Sequence, residues 1–178
     1  MTVSARKAIF GIVLSLILVG VAAPTAYWYA AAAIDHAFGF QPIGDSQILL
    51  ILAAFSFLVG VFWASWAYTY LFFVGKGLPL EAFGTALHAT EVLVTTGPYA
   101  YTRNPMLIGL LFLLLGVGLL QRSISGLAML PIVVAIMIPY LKIFEEKALS
   151  KRFGQDYDVY RSNVPLLIPR LTPYIHEL

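Results

Sequence analysis

Three groups of polar side chains interrupt an otherwise apolar chain. Tyr99, Tyr101, Arg103 and Asn104 lie within TTGPYAYTRNPMLIG, residues 95–109. Glu145 and Glu146 are adjacent, and Tyr157, Tyr160 and Arg161 lie in FGQDYDVYRSNVPLLIPR, residues 153–170. An arginine at a helix start suits a carboxylate or phosphate, because the first N–H groups of a helix lack intrahelical acceptors. A carboxylate pair suits an ammonium group, and aromatic rings suit a flat base or, through their π faces, a cation. Each group also has a plain structural use. Asn104-Pro105 makes a good helix start, with Asn at the N-cap and Pro at N1. Arg103 can snorkel to lipid phosphates, and the tyrosines can anchor at a membrane interface. Glu145-Glu146 can form a solvated turn, although acidic residues at a helix C-terminus oppose its dipole unless the helix continues past them.

The chain of 178 residues is 60% hydrophobic and 11% charged. Soluble domains carry about 25% charged residues, so this composition requires lipid as solvent. The absence of cysteine excludes disulfides, zinc thiolates and thiol nucleophiles. Four apolar runs, 8–34, 47–74, 105–120 and 124–144, approach or exceed the roughly 20 residues that a membrane helix needs. Arg6 and Lys7 precede the first run, but it is too long for the apolar region of a signal peptide and is assigned as a span. With four spans, every lysine and arginine except Arg122 falls on one side. The positive-inside rule makes that side cytoplasmic, with both termini there, in the inner membrane if the cell is bacterial. The expected fold is all-α, a single-domain integral membrane bundle over residues 1–178. It has four transmembrane helices, a C-terminal helix hairpin, a cytoplasmic cap and a cytoplasmic tail over 145–178.

The connection over 75–102 holds Gly75, Gly77, Pro79, Gly84, Gly97 and Pro98, which predict turns. Its apolar segment Glu91-Val-Leu-Val-Thr-Thr96 is expected to pack on the bundle. The third and fourth helices must form an antiparallel hairpin, with Gly109, Gly116 and Gly118 permitting close backbone approach. Gly60 offers a similar helix contact, while the oligomeric state stays open. Pro131 and Pro139 are expected to kink or open the fourth helix. That helix should leave the membrane past Tyr140 and stop near Gly154. The third helix begins where the fourth exits, so the Arg103 and Glu145-Glu146 groups should be neighbours. Carboxylate, ammonium, base and sulfonium recognition would then meet in one place, which fits S-adenosylmethionine. NADPH or a lipid headgroup fits part of the set.

The segments LVTTGPYAYTRNPMLIG, residues 93–109, and EEKALSKRFGQDYDVYRSNVPLLIPR, residues 145–170, resemble the isoprenylcysteine carboxyl methyltransferase and phospholipid methyltransferase family of integral membrane enzymes. The resemblance covers roughly the C-terminal half. It implies an S-adenosyl-L-methionine cleft at the cytoplasmic face, lined by Val94, Gly97, Pro98, Tyr99, Tyr101, Arg103, Asn104, Pro105, Glu145 and Glu146. Arg103, Asn104, Glu145 and Glu146 would be the catalytic set, Tyr157, Tyr160 and Arg161 a lid or strap, and no metal would be used. Asn104 stands where many members have His, and Leu107 where many have Tyr. The implied partners are the bilayer and a lipid-like or hydrophobic acceptor, a prenylcysteine-type carboxylate or a phospholipid amine, with no nucleic acid.

Methyl transfer from a sulfonium is an in-line displacement whose main requirements are alignment and exclusion of water. A carboxylate acceptor needs no base, whereas an amine must lose a proton, which Glu145 or Glu146 could take. An apolar acceptor is expected to enter laterally, through a gap that Pro131 and Pro139 help to form. Two other readings compete: an NADPH-dependent membrane reductase of the sterol reductase type, and a non-enzymatic membrane scaffold.

Overall fold

The computed structural model describes residues 11, 13, 14, 16–77, 81, 82, 85, 86 and 90–175, with positions 81, 82, 85 and 86 described by backbone alone. The start of the first expected span, with Arg6 and Lys7, lies outside the described residues, as do Pro79 and Gly84 of the connection. The described residues before position 18 are helical, and a π turn at Leu18–Ala22 leads into helix α1 (Ala23–Phe38). The apolar run ends at Ile34, but the helix continues for another turn. It stops at Gly39, whose left-handed φ of 68° lets its N–H reach back to the carbonyls of Asp35 and His36.

Helix α2 (Ser46–Phe73) starts at Asp45, whose carboxylate accepts from the N–H groups of Gln47 and Ile48 at 2.7 and 3.3 Å. Helix α3 (Pro105–Gln121) and helix α4 (Ile124–Tyr140) are joined by Arg122 and Ser123 alone, as an antiparallel hairpin. Ser123 caps α4 by accepting from Gly126 N at 2.8 Å. α4 continues without a break through a second π turn, Leu141–Glu145, into α5 (Glu146–Phe153). Gly154, with φ 57° and ψ −130°, turns the chain into α6 (Gln155–Asn163), a combination that only glycine adopts without strain.

Glycine sets how the helices pack. α2 and α3 form the most extensive helix pair, and they cross where Gly60 meets Gly109. A Cβ on Gly60 would lie 2.9 Å from the Gly109 carbonyl oxygen, and one on Gly109 would lie 2.9 Å from the Gly60 oxygen. Gly116 accepts the Phe57 ring, and Gly118 abuts Gly126 across the hairpin. Gly60 is therefore used within the chain. On this frame Tyr27, Leu114 and Val117 form one buried cluster, and the Tyr27 hydroxyl donates to the Gly126 carbonyl.

Among the described residues two helices are long and apolar enough to cross a membrane: α2, with mean hydropathy 2.4, and the continuous helix Ile124–Phe153, with mean hydropathy 2.2. Only 17% and 6% of their most apolar windows are buried inside the protein, so their apolar faces point outward, as lipid-facing helices do. α3 is apolar but has 17 residues, a length of about 26 Å against a hydrocarbon core of about 30 Å.

The described residues of the cap include a two-residue antiparallel pair, β1 (Glu81–Ala82) with β2 (Thr85–Ala86). The segment over 91–96 is neither helix nor strand and packs as expected, with its side chains divided between two clusters. Val94 joins Ala67 of α2 and Tyr99, whereas Leu93 packs on Tyr157, Tyr160 and Val164. These two neighbours tie the cap to the bundle on one side and to the tail on the other.

Candidate functional site

The turn Gly97–Ala100 is a short 3-10 helix that delivers Tyr99 inward. Gly97 is required there twice over: its φ is 61°, and a Cβ would sit 2.4 Å from the Tyr70 ring. Pro98 and Tyr99 are buried, and the Tyr99 carbonyl accepts from the Tyr160 hydroxyl at 2.8 Å. The tail after α6 then runs back along this segment. Arg103 N donates to Pro165 O at 2.9 Å, Arg170 N to Tyr101 O at 2.9 Å, and Tyr174 N to Ala100 O at 2.8 Å. The Thr102 hydroxyl, fully buried, reaches the carbonyls of Leu166 and Leu167. These bonds satisfy the backbone that leads into α3 and fix the direction of Arg103.

Asn104 occupies the N-cap position of α3, but its side chain makes no capping bond; the nearby Thr102 hydroxyl accepts from Asn104 N at 3.4 Å instead. The expected cap is thus corrected. The Asn104 amide is released to line a cavity of about 250 Å³ between α3, the α4–α5 helix, the cap and α6.

The second π turn shapes the opposite wall. Pro139 has no N–H to bond to the carbonyl four residues back, yet the Leu141 N–H resumes the ladder to Met137 O; the Glu146 N–H then bonds five residues back, to Leu141 O. The wider turn brings both Glu145 and Glu146 to the cavity, together with Met137, Leu141, Leu149 and Arg152 along one helix face. Neither Pro131 nor Pro139 lines the cavity. Val19 of the first π turn borders the apolar end, alongside Leu107 and Leu110.

The electrostatics are those of a two-signed pocket. Arg103 and Glu146 form an ion pair through Nη1 and Oε1, with side chains only 11% and 9% exposed. Among the described residues few buried side-chain polar atoms lack a hydrogen-bond partner. Two of them, Arg103 Nε and Arg152 Nε, belong to arginines that line this one cavity. Arg152 is held from behind, with Nη2 donating to Thr90 Oγ1 at 3.2 Å and its guanidinium 4.8 Å from the Phe153 ring centroid. Burial pushes the Tyr157 phenol up to about 12, with the Glu146 charge adding to the rise and Arg103 opposing it. Burial raises Tyr99 and Tyr160 as well, so all three are protonated at neutral pH and act as donors and ring surfaces.

Of the residues expected from sequence, Val94, Tyr99, Arg103, Asn104, Pro105, Glu145 and Glu146 come together on this cavity. Tyr157 and Tyr160 also line it, from a buried cluster with Val164. Gly97 and Pro98 support the wall from outside it. Tyr101 turns away and packs on Trp66, with ring centroids 6.0 Å apart. Arg161 also lies apart, exposed and 3.5 Å from Asp158. Sequence reasoning missed Thr90, Arg152 and the apolar arm of Val19, Leu110 and Met137. The spacing of Met137, Leu141, Glu145, Leu149 and Arg152, at steps of four, four, four and three, was the available signal for one helix face.

Residues 48–156 match the phospholipid methyltransferase family. Among curated proteins, the nickel-cobalt-cadmium resistance protein NccN of Alcaligenes xylosoxydans xylosoxydans is 34% identical over 85 residues, covering 48% of this chain and 39% of that protein. The cobalt-zinc-cadmium resistance protein CzcN of Cupriavidus metallidurans is 32% identical over 87 residues, covering 49% of this chain and 40% of that protein. The protein-S-isoprenylcysteine O-methyltransferase of Schizosaccharomyces pombe is 33% identical over 79 residues, covering 44% and 34%. The matched region thus spans about two fifths or less of the length of these relatives. No solved structure matches.

Proposed function

Because the chain belongs to the phospholipid methyltransferase family, we propose that it is an S-adenosylmethionine-dependent membrane methyltransferase acting on a lipid-like acceptor. One observation carries this reading: two buried arginine Nε donors without acceptors share a cavity with two glutamates. A buried N–H left unpaired costs about 1–3 kcal/mol, so the pocket favours a ligand that brings acceptors to it. The two glutamates favour an ammonium group in the same ligand. An amino-acid end, carboxylate and ammonium side by side, meets both demands, and this is the end of S-adenosylmethionine that such a pocket would hold.

When bound, that cofactor supplies an electrophilic methyl group on sulfur. The residues of the chain do the rest. Arg103 and Arg152 take the carboxylate, and Glu145 and Glu146 take the ammonium. Asn104 presents an amide that is not spent on helix capping. Tyr99, Tyr157 and Tyr160 offer protonated phenols and ring faces while excluding water. For an amine acceptor, Glu145 is the group we assign to receive the proton; a carboxylate acceptor needs none. The apolar arm, with Leu107, Leu110 and Met137, admits a hydrocarbon chain. Leu107 supplies no hydroxyl, so acceptor recognition there rests on shape.

We further propose that all four long helical segments lie in the bilayer, with the short α3 set against thinner lipid, and that the cavity faces the cytoplasm. Four crossings leave both termini on the side rich in lysine and arginine. The activity is tested by incubating the purified full chain with methyl-labelled S-adenosylmethionine and a total membrane lipid extract supplemented with a prenylcysteine analogue. Label is expected in the organic phase and is expected to fall at least tenfold in Glu145→Gln. Folded protein that transfers no label to any component would overturn the acceptor class.

A further inference from the structure

The helix that carries Glu145 and Glu146 has a second functional face. Glu145, Leu149 and Arg152 face the cavity, whereas Ile143, Lys147 and Lys151 occupy the other side. Lys142, Ile143, Lys147, Ser150, Lys151 and Arg161 line an open groove between the exit of α4 and the outer side of α6. No carboxylate lines it. Asp158 borders it, 3.5 Å from Arg161 and accepting from the Ser150 hydroxyl at 3.1 Å. It offsets Arg161 and leaves the charge of the lysines. Among the described residues the ion pairs are Arg103–Glu146 and Arg161–Asp158, and neither includes a lysine.

The same face is apolar inside the bilayer. Ile132, Ile136 and Ile143 are 56%, 63% and 58% exposed and follow a helical stripe that leads into the groove. Lys147 and Lys151 continue the stripe in steps of four residues. One helix face therefore changes from hydrocarbon-facing to cationic at the level where Glu145 and Glu146 leave the membrane. An anionic headgroup on an acyl chain has this same order of apolar and charged parts. A freely diffusing phosphate would use only the cationic end.

We propose that this groove is a binding site for the headgroup phosphate of an anionic glycerophospholipid, with its acyl chain lying along Ile132, Ile136 and Ile143. The site is independent of the cavity and of any methyl donor. A lipid seated there braces the outer side of the turn whose inner side presents the glutamates.

Native mass spectrometry of the full chain in detergent measures lipid retention directly, using phosphatidylglycerol and phosphatidylcholine of identical acyl chains. Phosphatidylglycerol should be retained preferentially. Lys147→Ala and Lys151→Ala should each weaken retention about fivefold, the factor expected for one cation near a lipid phosphate. Lys147→Arg should restore it, and Lys76→Ala, which removes an exposed charge elsewhere, should not change it. Equal retention of the two lipids, an equal effect of Lys76→Ala, or displacement of the lipid by millimolar inorganic phosphate would each overturn the proposal.

Discussion

At Arg103 and Glu146 a full ion pair is withdrawn from solvent, with about a tenth of each side chain exposed. Removing one partner strands the other charge, so Arg103→Ala and Glu146→Ala should each lower stability by about 3–5 kcal/mol. The double substitution should cost much less than the sum, and thermal unfolding of all four proteins closes the cycle. Tyr157 gives a pH test. Its folded-state value, about 12, lies above the ordinary 10.0, so the folded protein holds this proton more tightly than the unfolded chain. Its contribution to stability is complete below pH 10 and is lost as pH rises toward 12. Tyr157→Phe should flatten the decline of melting temperature across that window. Much of this was legible in the sequence, because Arg103 and Glu145-Glu146 are charges in a chain with few, at the ends of two helices joined by a short turn. The role of Asn104 was not legible. Asn before Pro reads as a cap, whereas in the structure its side chain makes no capping bond and the residue lines the cavity. Arg152 was hidden for a related reason: in KALSKRFG it reads as one more surface cation, and its burial depends on Thr90 from a distant segment.

Helix α4 and its continuation carry the element-scale prediction. In Pro139→Ala the restored N–H can bond to the carbonyl four residues back and draw the π turn toward α-helical geometry. Each residue of an α-helix turns by about 100°, so losing the extra residue of the π turn would swing one of the two glutamates away from the cavity. The variant should melt at or above the wild-type temperature while binding S-adenosylhomocysteine at least tenfold more weakly. Unchanged affinity would remove the π turn from the account. Glycine contacts give the converse result, since Gly60→Leu places side chain against the Gly109 backbone and should lower the melting temperature by separating α2 from α3. The glycines were readable in sequence as sites of close approach. The π turn was not, because proline signals a break in the ladder without saying whether the helix kinks, ends or widens.

For the whole molecule, the exposed apolar faces on α2 and on Ile124–Phe153 mark the surface that meets lipid. The chain contains no cysteine, so single cysteines can be introduced and labelled cleanly. The proposed topology, four spans with both termini cytoplasmic, predicts that Gln41→Cys reacts with a membrane-impermeant maleimide in intact spheroplasts, and Ser162→Cys only after permeabilisation. The reverse pattern would put the cavity on the wrong face for a cytoplasmic cofactor. The proposed binding of the amino-acid end of S-adenosylmethionine, in a cavity bearing two arginines and two glutamates, is tested most directly by calorimetric titration of the detergent-purified full chain with S-adenosylhomocysteine and, separately, NADPH. Heat of binding is expected with S-adenosylhomocysteine and none with NADPH, with affinity weakened at least tenfold in Arg152→Gln. Folded protein that binds NADPH instead, or that binds S-adenosylhomocysteine equally well in Arg152→Gln, would contradict it.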